Sequence, residues 1–592
     1  MIGRRVGALV VSVALLVVAC TGSAEPPTTT TTAPSTTTSS TSTTTLPPSS
    51  TTTEAPIGNP YGGTAVVAED QEPPTLNPFA PGGDNFIVTI VGQAYLTGVY
   101  EIDGSDLSFV PEVVTELPTV SNGGVTVNGD GSMTVGYTIR DEAVWEDGVP
   151  ISGDDFAFTL SILQDPSRNG GLVGNPYEDV VSSEATAKTF AFTMRTPTIQ
   201  YETMFRTIVP KHAVEDSDFL ADWNDRMWPS GGPFRFAGWE HGERIIVERN
   251  EAYWKTDPET GQQLPYLDAV EFRFIPETEE IVSAFKSREV DIIQLPPANE
   301  TIDGLKALES DGARVEVRSG PVWEHLNFQF GPGRLEMNAA SLNHNLDYRR
   351  AVAHLIDKSA LMDAIGGYTT PLTSYVDAFS PSLSHHSWER YPYDPDTARA
   401  LLEKVKADEG VEVITTVFST TSNGDMRVRV SEVLAPMFAA VGIEYRNELR
   451  DSQLFFGEII EEGTWDMGEW AWVGSPGLSG LIGIHDIFDP EGAPPDGSNY
   501  YRWGTEDSSV VDEHTARFAV VRDLMNSSVD DQVLRTLLAE AEEILADQMV
   551  ILPLHSRLVV GAVWEDEIGG WEMNPSQASH TWNIEEWYRA DL

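Results

Sequence analysis

A chain of 592 residues exceeds what one hydrophobic core organises, so two or three domains are expected. It carries 91 acidic against 37 basic residues, a formal net charge of −54. Such a surface repels nucleic acid and anionic membranes, which sets aside functions built on phosphate contacts. The acids are spread along the chain, which reads as a solvated surface; attraction of a cationic ligand is the second reading.

The N-terminus reads as a targeting segment. Arg4 and Arg5 precede a short apolar run, Val6 to Ala19, which is short for a bilayer span. The run ends Leu16-Val17-Val18-Ala19-Cys20, which resembles a bacterial lipobox and implies lipid attachment at Cys20. Cys20 is the only cysteine, so disulfides are not expected. Thr21 to about Pro56 is almost wholly Thr, Ser and Pro, which cannot bury a core and reads as a disordered tether. As a random coil it reaches on the order of 35 Å.

The folded part is expected from about Gly62, with a first strand at Thr64-Ala65-Val66-Val67. Pro73-Pro74-Thr75-Leu76-Asn77-Pro78 follows, and Asn77 is placed there as a turn former. Asn122-Gly123-Gly124 and Asn128-Gly129-Asp130-Gly131 mark hairpin turns. Val135, Tyr137 and Ile139 then alternate as a half-buried strand, Asp147-Gly148 is a turn, and Ser152 with Asp155 three residues on starts a helix. Taken together, the stretch Thr134 to Leu160, with its T-I-R-D-x-x-V-W-x-D-G-x-P-I-S-x-D-D-F-x-F-T-L pattern, resembles the signature of family 5 extracellular solute-binding proteins. These are the receptors of ABC importers for peptides, nickel, haem and some sugars.

The resemblance continues through Arg249-Asn250-Glu251-Ala252-Tyr253-Trp254, the helix Tyr348 to Lys358 and the Ile551-Leu552-Pro553-Leu554 strand, covering about residues 62 to 588. It implies an α/β, two-lobed periplasmic-binding-protein-like fold (class II) with an extra third domain. The expected organisation is a lipoprotein signal peptide over 1–20 and the tether over 21–60. Lobe I takes 61–105, 229–322 and 554–592, the extra domain 106–228, and lobe II 323–553. The resemblance places the loop at Asn77 and the crossing segment with Trp323, His325 and Asn327 at the ligand cleft. It also puts a Trp of the segment Thr464 to Pro476 in the ligand chamber, making Trp470 and Trp472 candidates. Peptide receptors of the family carry an Asp three residues after that Trp, paired with the peptide's amino terminus. Ser475 stands there instead, which favours a neutral or differently charged ligand.

Motifs for chemistry are scarce. There is no phosphate-binding Gly-Lys-Ser/Thr loop, no His-Glu-x-x-His pair and no Gly-x-Ser-x-Gly elbow. His385-His386, in a Pro/Ser-rich stretch, does not read as a metal site. No catalytic residues, metal or cofactor are expected. The resulting expectation is a monomeric, lipid-anchored receptor on the outer face of the cell membrane. It captures a peptide or small molecule between its lobes and passes it to ABC permease subunits, with no nucleic-acid partner. A surface sensor or adhesion module on the same fold is the alternative, and a surface hydrolase a more distant one.

Overall fold

The structure is a computed structural model. It describes residues 60–591 apart from 84, 169–175, 296–298, 333–340, 423–424 and 496. The expected leader, Cys20 and the Thr/Ser/Pro tether lie outside the described residues. No helix among the described residues is long and apolar enough to cross a membrane.

A ten-stranded mixed sheet runs through the molecule. Its order is Ile443–Arg450, Ile414–Thr421, Met467–Val473, Ala313–Phe328, Ile551–Trp564, Ile292–Leu295, Thr64–Glu69, Ala269–Phe274, Arg244–Arg249, Phe234–Glu240. The two central strands, Ala313–Phe328 and Ile551–Trp564, are long, antiparallel and shared by both halves. Their pairing shifts register between Ser319 and Trp323 and again between Glu324 and His325. Gly320 and Pro321 account for the first shift: proline donates no ladder hydrogen bond, and a Cβ on Gly320 would lie 2.9 Å from the Val559 side chain. On one side of the break Ile551–Trp564 pairs with Ile292–Leu295; on the other, Ala313–Phe328 pairs with Met467–Val473. The sheet thus divides into the cores of two lobes joined by two adjacent crossing strands.

A separate four-stranded antiparallel sheet, Val125–Val127, Met133–Thr138, Thr189–Met194 and Val180–Ala185, lies within the span expected for the extra domain. The helix Gly153–Leu163 packs on it, and Tyr137, Phe156, Phe190, Phe192 and Phe205 form its ring cluster. The helix starts where Ser152 and Asp155 indicate: the Ser152 N–H donates to Asp155 Oδ2 at 2.9 Å. The Lys211 N–H also donates to this carboxylate, at 2.9 Å.

This domain is bonded through backbone groups to the segment just before the strand Tyr100–Ile102. The Val99 N–H donates to the Phe205 carbonyl at 2.8 Å, and the Ile208 N–H to Thr97 at 2.9 Å. Gly98 sits between them, and a Cβ there would lie 2.0 Å from the Arg206 carbonyl oxygen. Backbone cannot yield as a side chain does, so Gly98→Ala is expected to cost about 1–3 kcal/mol of stability. A urea melt with an unchanged midpoint would refute this close approach.

Candidate functional site

The crossing strand and its neighbour decide what faces the site. Trp323 lies opposite Trp472, His325 opposite Trp470, and Asn327 opposite Gly468. Residues directly opposed in a ladder share a face, so the structure brings Trp323, His325, Trp470 and Trp472 together on one side of the sheet. That side is packed. Trp470 stacks on Tyr501 at 5.7 Å and 13°, Tyr501 stacks on Phe488 at 5.1 Å, and Trp323 stacks on His325 at 4.2 Å. The Tyr501 hydroxyl lies 3.0 Å from His325 Nε2 and accepts from Trp472 Nε1 at 2.8 Å. Burial drives the His325 pKa down to about 3, so the ring is neutral. Asn327 is fully buried beside them and donates to the His325 carbonyl at 3.2 Å.

Asn77 is distant from this group in its bonding. Its amide donates to the Phe219 carbonyl at 2.7 Å and its carbonyl accepts from the Phe79 N–H at 3.0 Å. Both functions hold a turn, the local role that Asn between Leu and Pro suggests. Ser475 is half-buried just before the helix Gly477–Ile484.

The opposite face of the same strands carries charge. Glu324 lies opposite Ala471, with Glu469 diagonal to it, and opposite His555 on the other crossing strand. Glu324 is 1% exposed and is held by two guanidiniums. Arg427 donates to both oxygens, Nε to Oε2 at 3.2 Å and Nη2 to Oε1 at 3.1 Å; Arg557 Nε donates to Oε1 at 2.9 Å. Despite burial, these two cations hold the Glu324 carboxyl below the ordinary range. Arg427 lies near the start of the helix Asp425–Ala440 that follows the Ile414–Thr421 strand, and also donates to Thr421 Oγ1 at 3.2 Å. The guanidinium stands 5.7 Å from the Phe456 ring, on the π-helical turn Phe455–Ile459. This is the carboxyl-end side of a parallel strand pair, where α/β sheets offer backbone and helix N-termini to ligands.

Sequence reading passed over Glu324, Arg427, Glu469 and Arg557. The signal was the two-residue period itself. Along Met467–Val473, Trp470 and Trp472 must point away from Glu469 and Ala471, and an acid in mid-strand is the less usual residue.

The turn Ile199–Thr203 and Phe109 both touch the start of the helix Gly477–Ile484. The Glu202 carboxylate, in the turn Ile199–Thr203, accepts from the Ser479 N–H at 3.2 Å in the first turn of Gly477–Ile484. Phe109 packs against Gly477, where a Cβ would meet its ring at 2.6 Å. Burial lifts the Glu202 pKa to about 7.

A second charged group lies elsewhere. Glu101, Glu112, Lys255, Arg206 and Glu585 line a cavity of about 150 Å³ near Trp582. Its charges are met internally: Lys255 pairs with Glu112 and with Glu585 at 3.1 Å, and Arg206 stands 4.0 Å from Glu101. No group of three or more His, Cys, Asp or Glu among the described residues could hold a metal ion.

Two lobes joined by paired crossing strands are the architecture of proteins that close on a solute. Residues 109–479 match the family profile of bacterial extracellular solute-binding proteins, family 5, middle region, and the chain belongs to that family. It is 21% identical over 459 residues to the oligopeptide-binding protein OppA of Bacillus subtilis, covering 73% of this chain and 78% of OppA. It is 22% identical over 519 residues to the glutathione-binding protein GsiB of Salmonella paratyphi A, covering 86% and 92%. Among solved structures, the periplasmic EDTA-binding protein EppA shares the fold with a TM-score of 0.69 at 18% identity, covering 91% of this chain and 99% of EppA. The chain is therefore a substrate-binding protein of the ABC-importer kind, from an extracellular receptor family.

Proposed function

We propose that this protein is a lipid-anchored receptor that captures a small solute between its lobes and delivers it to an ABC permease. The observation that carries the reading is the paired crossing strands, broken in register at Ser319–His325 beside the Glu324, Arg427 and Arg557 cluster. Such a break is where two lobes hinge, and closure buries the ligand surfaces only in the bound form. Cys20 and the tether after it supply attachment and reach, and the protein acts as a monomer. In this reading lobe I takes 61–105, 229–322 and 554–592, interrupted by the 106–228 domain, and lobe II takes 323–553. The function is capture and release, with no bond made or broken. The candidate contacts are Glu324, Arg427, Glu469 and Arg557, with Ser475 at the rim. Trp323, His325, Asn327, Trp470 and Trp472 support the strands from behind, and Asn77 supports a turn of lobe I.

Small-angle scattering across a set of peptides, sugars and amines tests this reading. A ligand at 100 times its dissociation constant is expected to compact the molecule and to stabilise it by about 2.7 kcal/mol. Unchanged curves and melting temperatures across the set would favour the sensor or adhesion reading.

A further inference from the structure

We infer that the solute carries a cationic nitrogen group, an ammonium or guanidinium, and that Glu469 and His555 receive it. The inference rests on the receptor reading and names the ligand chemistry of that same site.

Glu469 is fully buried, and neither of its carboxyl oxygens has a hydrogen-bond partner among the described residues. Its backbone carbonyl accepts from Thr420 Oγ1 at 2.9 Å. His555 is also fully buried. Its Nδ1 lies 3.1 Å from the Ser556 carbonyl and so carries the proton, leaving Nε2 as an acceptor with nothing to accept from. The two residues flank Glu324 on one face of the sheet, His555 directly opposite it and Glu469 diagonal to it.

Three other buried carboxylates among the described residues are met. Glu324 has its two arginines, Glu542 accepts from the N–H groups of His385 and Ser387 at 3.2 and 3.0 Å, and Asp291 accepts from the Val66 N–H at 2.7 Å. Leaving a buried polar group unmet costs stability, and more so for a charge. A carboxyl kept there without a partner works against stability, and a complementary donor must come from outside.

What is missing is donors. The charged and titratable groups acting with Glu469 are Glu324, Arg427, Arg557 and Tyr445, and His555 lies one strand further on, beside Glu324. Arg427 and Arg557 are both spent on Glu324, and the Arg557 side chain is 44% exposed, so water screens its charge. The Tyr445 hydroxyl donates to the Ser431 carbonyl. Once Glu469 is ionised, its carboxylate and His555 Nε2 are acceptors with no side-chain cation left to meet them, which fits a group bearing several N–H bonds and a positive charge. The chain's net charge of −54 draws such solutes toward it.

Burial raises Glu469 well above the ordinary carboxyl range, which favours its protonated form. A bound cation displaces that proton: the carboxylic acid and the cationic ligand become an ion pair, and one proton leaves to solvent.

The test uses the full-length protein in detergent at pH 7, wild type and Glu469→Gln, with spermidine and agmatine as cationic probes and maltotriose and an N-acetylated dipeptide as the others. Thermal shifts and titration calorimetry in two buffers of different ionisation enthalpy are read. The expected result is stabilisation by a cationic probe, release of about one proton per complex, and affinity at least about tenfold weaker in Glu469→Gln. Stabilisation by maltotriose or the acetylated dipeptide, equal in both proteins and without proton release, would overturn the cation assignment and leave the receptor reading standing. No response to any probe would count against both. Because Glu469→Gln replaces a neutral acid by a neutral amide of the same shape, its melting temperature should match wild type; if it fails to fold, the wild-type proton count decides alone.

Discussion

Arg427→Ala is expected to destabilise the protein by about 3–5 kcal/mol, the largest effect of any single charged residue in the cleft. The Arg427 side chain is 9% exposed and that of Glu324 1%. Removing the guanidinium leaves the Glu324 carboxylate in a dry interior with only the half-exposed Arg557 to meet it. The charge must then be protonated, or the strand end must open to water. Arg557→Ala keeps the Arg427 pair and removes a screened partner, so it is expected to cost less than about 1 kcal/mol. Urea denaturation of the two variants measures the difference. Similar small losses in both would mean that the Glu324 pocket is wetter than its burial indicates, and the cluster would lose its role as a dry anchor for the crossing strand.

The second large effect is a pH dependence that belongs to single histidines. His485 is fully buried, with Nδ1 2.6 Å from the Leu481 carbonyl and Nε2 2.7 Å from the Tyr375 hydroxyl. Both partners suit a neutral ring, the carbonyl accepting from Nδ1 and the hydroxyl donating to Nε2. Burial pushes its pKa down to about 4. The unfolded chain has a histidine of about 6.5, so below that pH the unfolded state binds the proton first. Its contribution is complete above pH 6.5 and is lost as pH falls toward 4, at about 1.4 kcal/mol per unit. His485→Gln removes the titration. The stability advantage of wild type over this variant should shrink by about 3 kcal/mol between pH 6.5 and 4. The comparison must be made against the variant, because Glu101, Glu202 and Glu586, raised to about 7 by burial, act oppositely. Their contribution is complete below pH 4.5 and is lost as pH rises through 7. A pH-independent gap between the two proteins would show that His485 is protonated or hydrated in the native state.

Much of the architecture was legible because local chemistry and global fold agree. Ser152 and Asp155 start a helix, and Tyr253, Leu264 and Tyr266 form a small buried cluster beside Asn250. The alternation at Val135, Tyr137 and Ile139 marks buried positions. The candidate segments were legible as segments, and the packing over each of their faces was not. The crossing segment and the stretch 464–476 do lie side by side, paired from Val322 to Phe328. Which face meets solute depends on what covers each face, and that is tertiary information. The layer formed by Tyr501, Phe488 and Phe518 lies later in the chain and claims the tryptophan side. Arg427 and Arg557 reach Glu324 across 103 and 233 residues. No local pattern announces such a pairing, although a mid-strand glutamate next to a tryptophan, as at Glu324 and Glu469, is the point at which to look.

The measurement that bears most directly on the account is native mass spectrometry of the full-length protein as purified. The account predicts a discrete mass excess that disappears on denaturation, and fragmentation that yields a small solute with an amine or guanidine group. A bare mass, together with scattering that no probe alters, would contradict a receptor that closes on its ligand at the Glu324–Glu469 face.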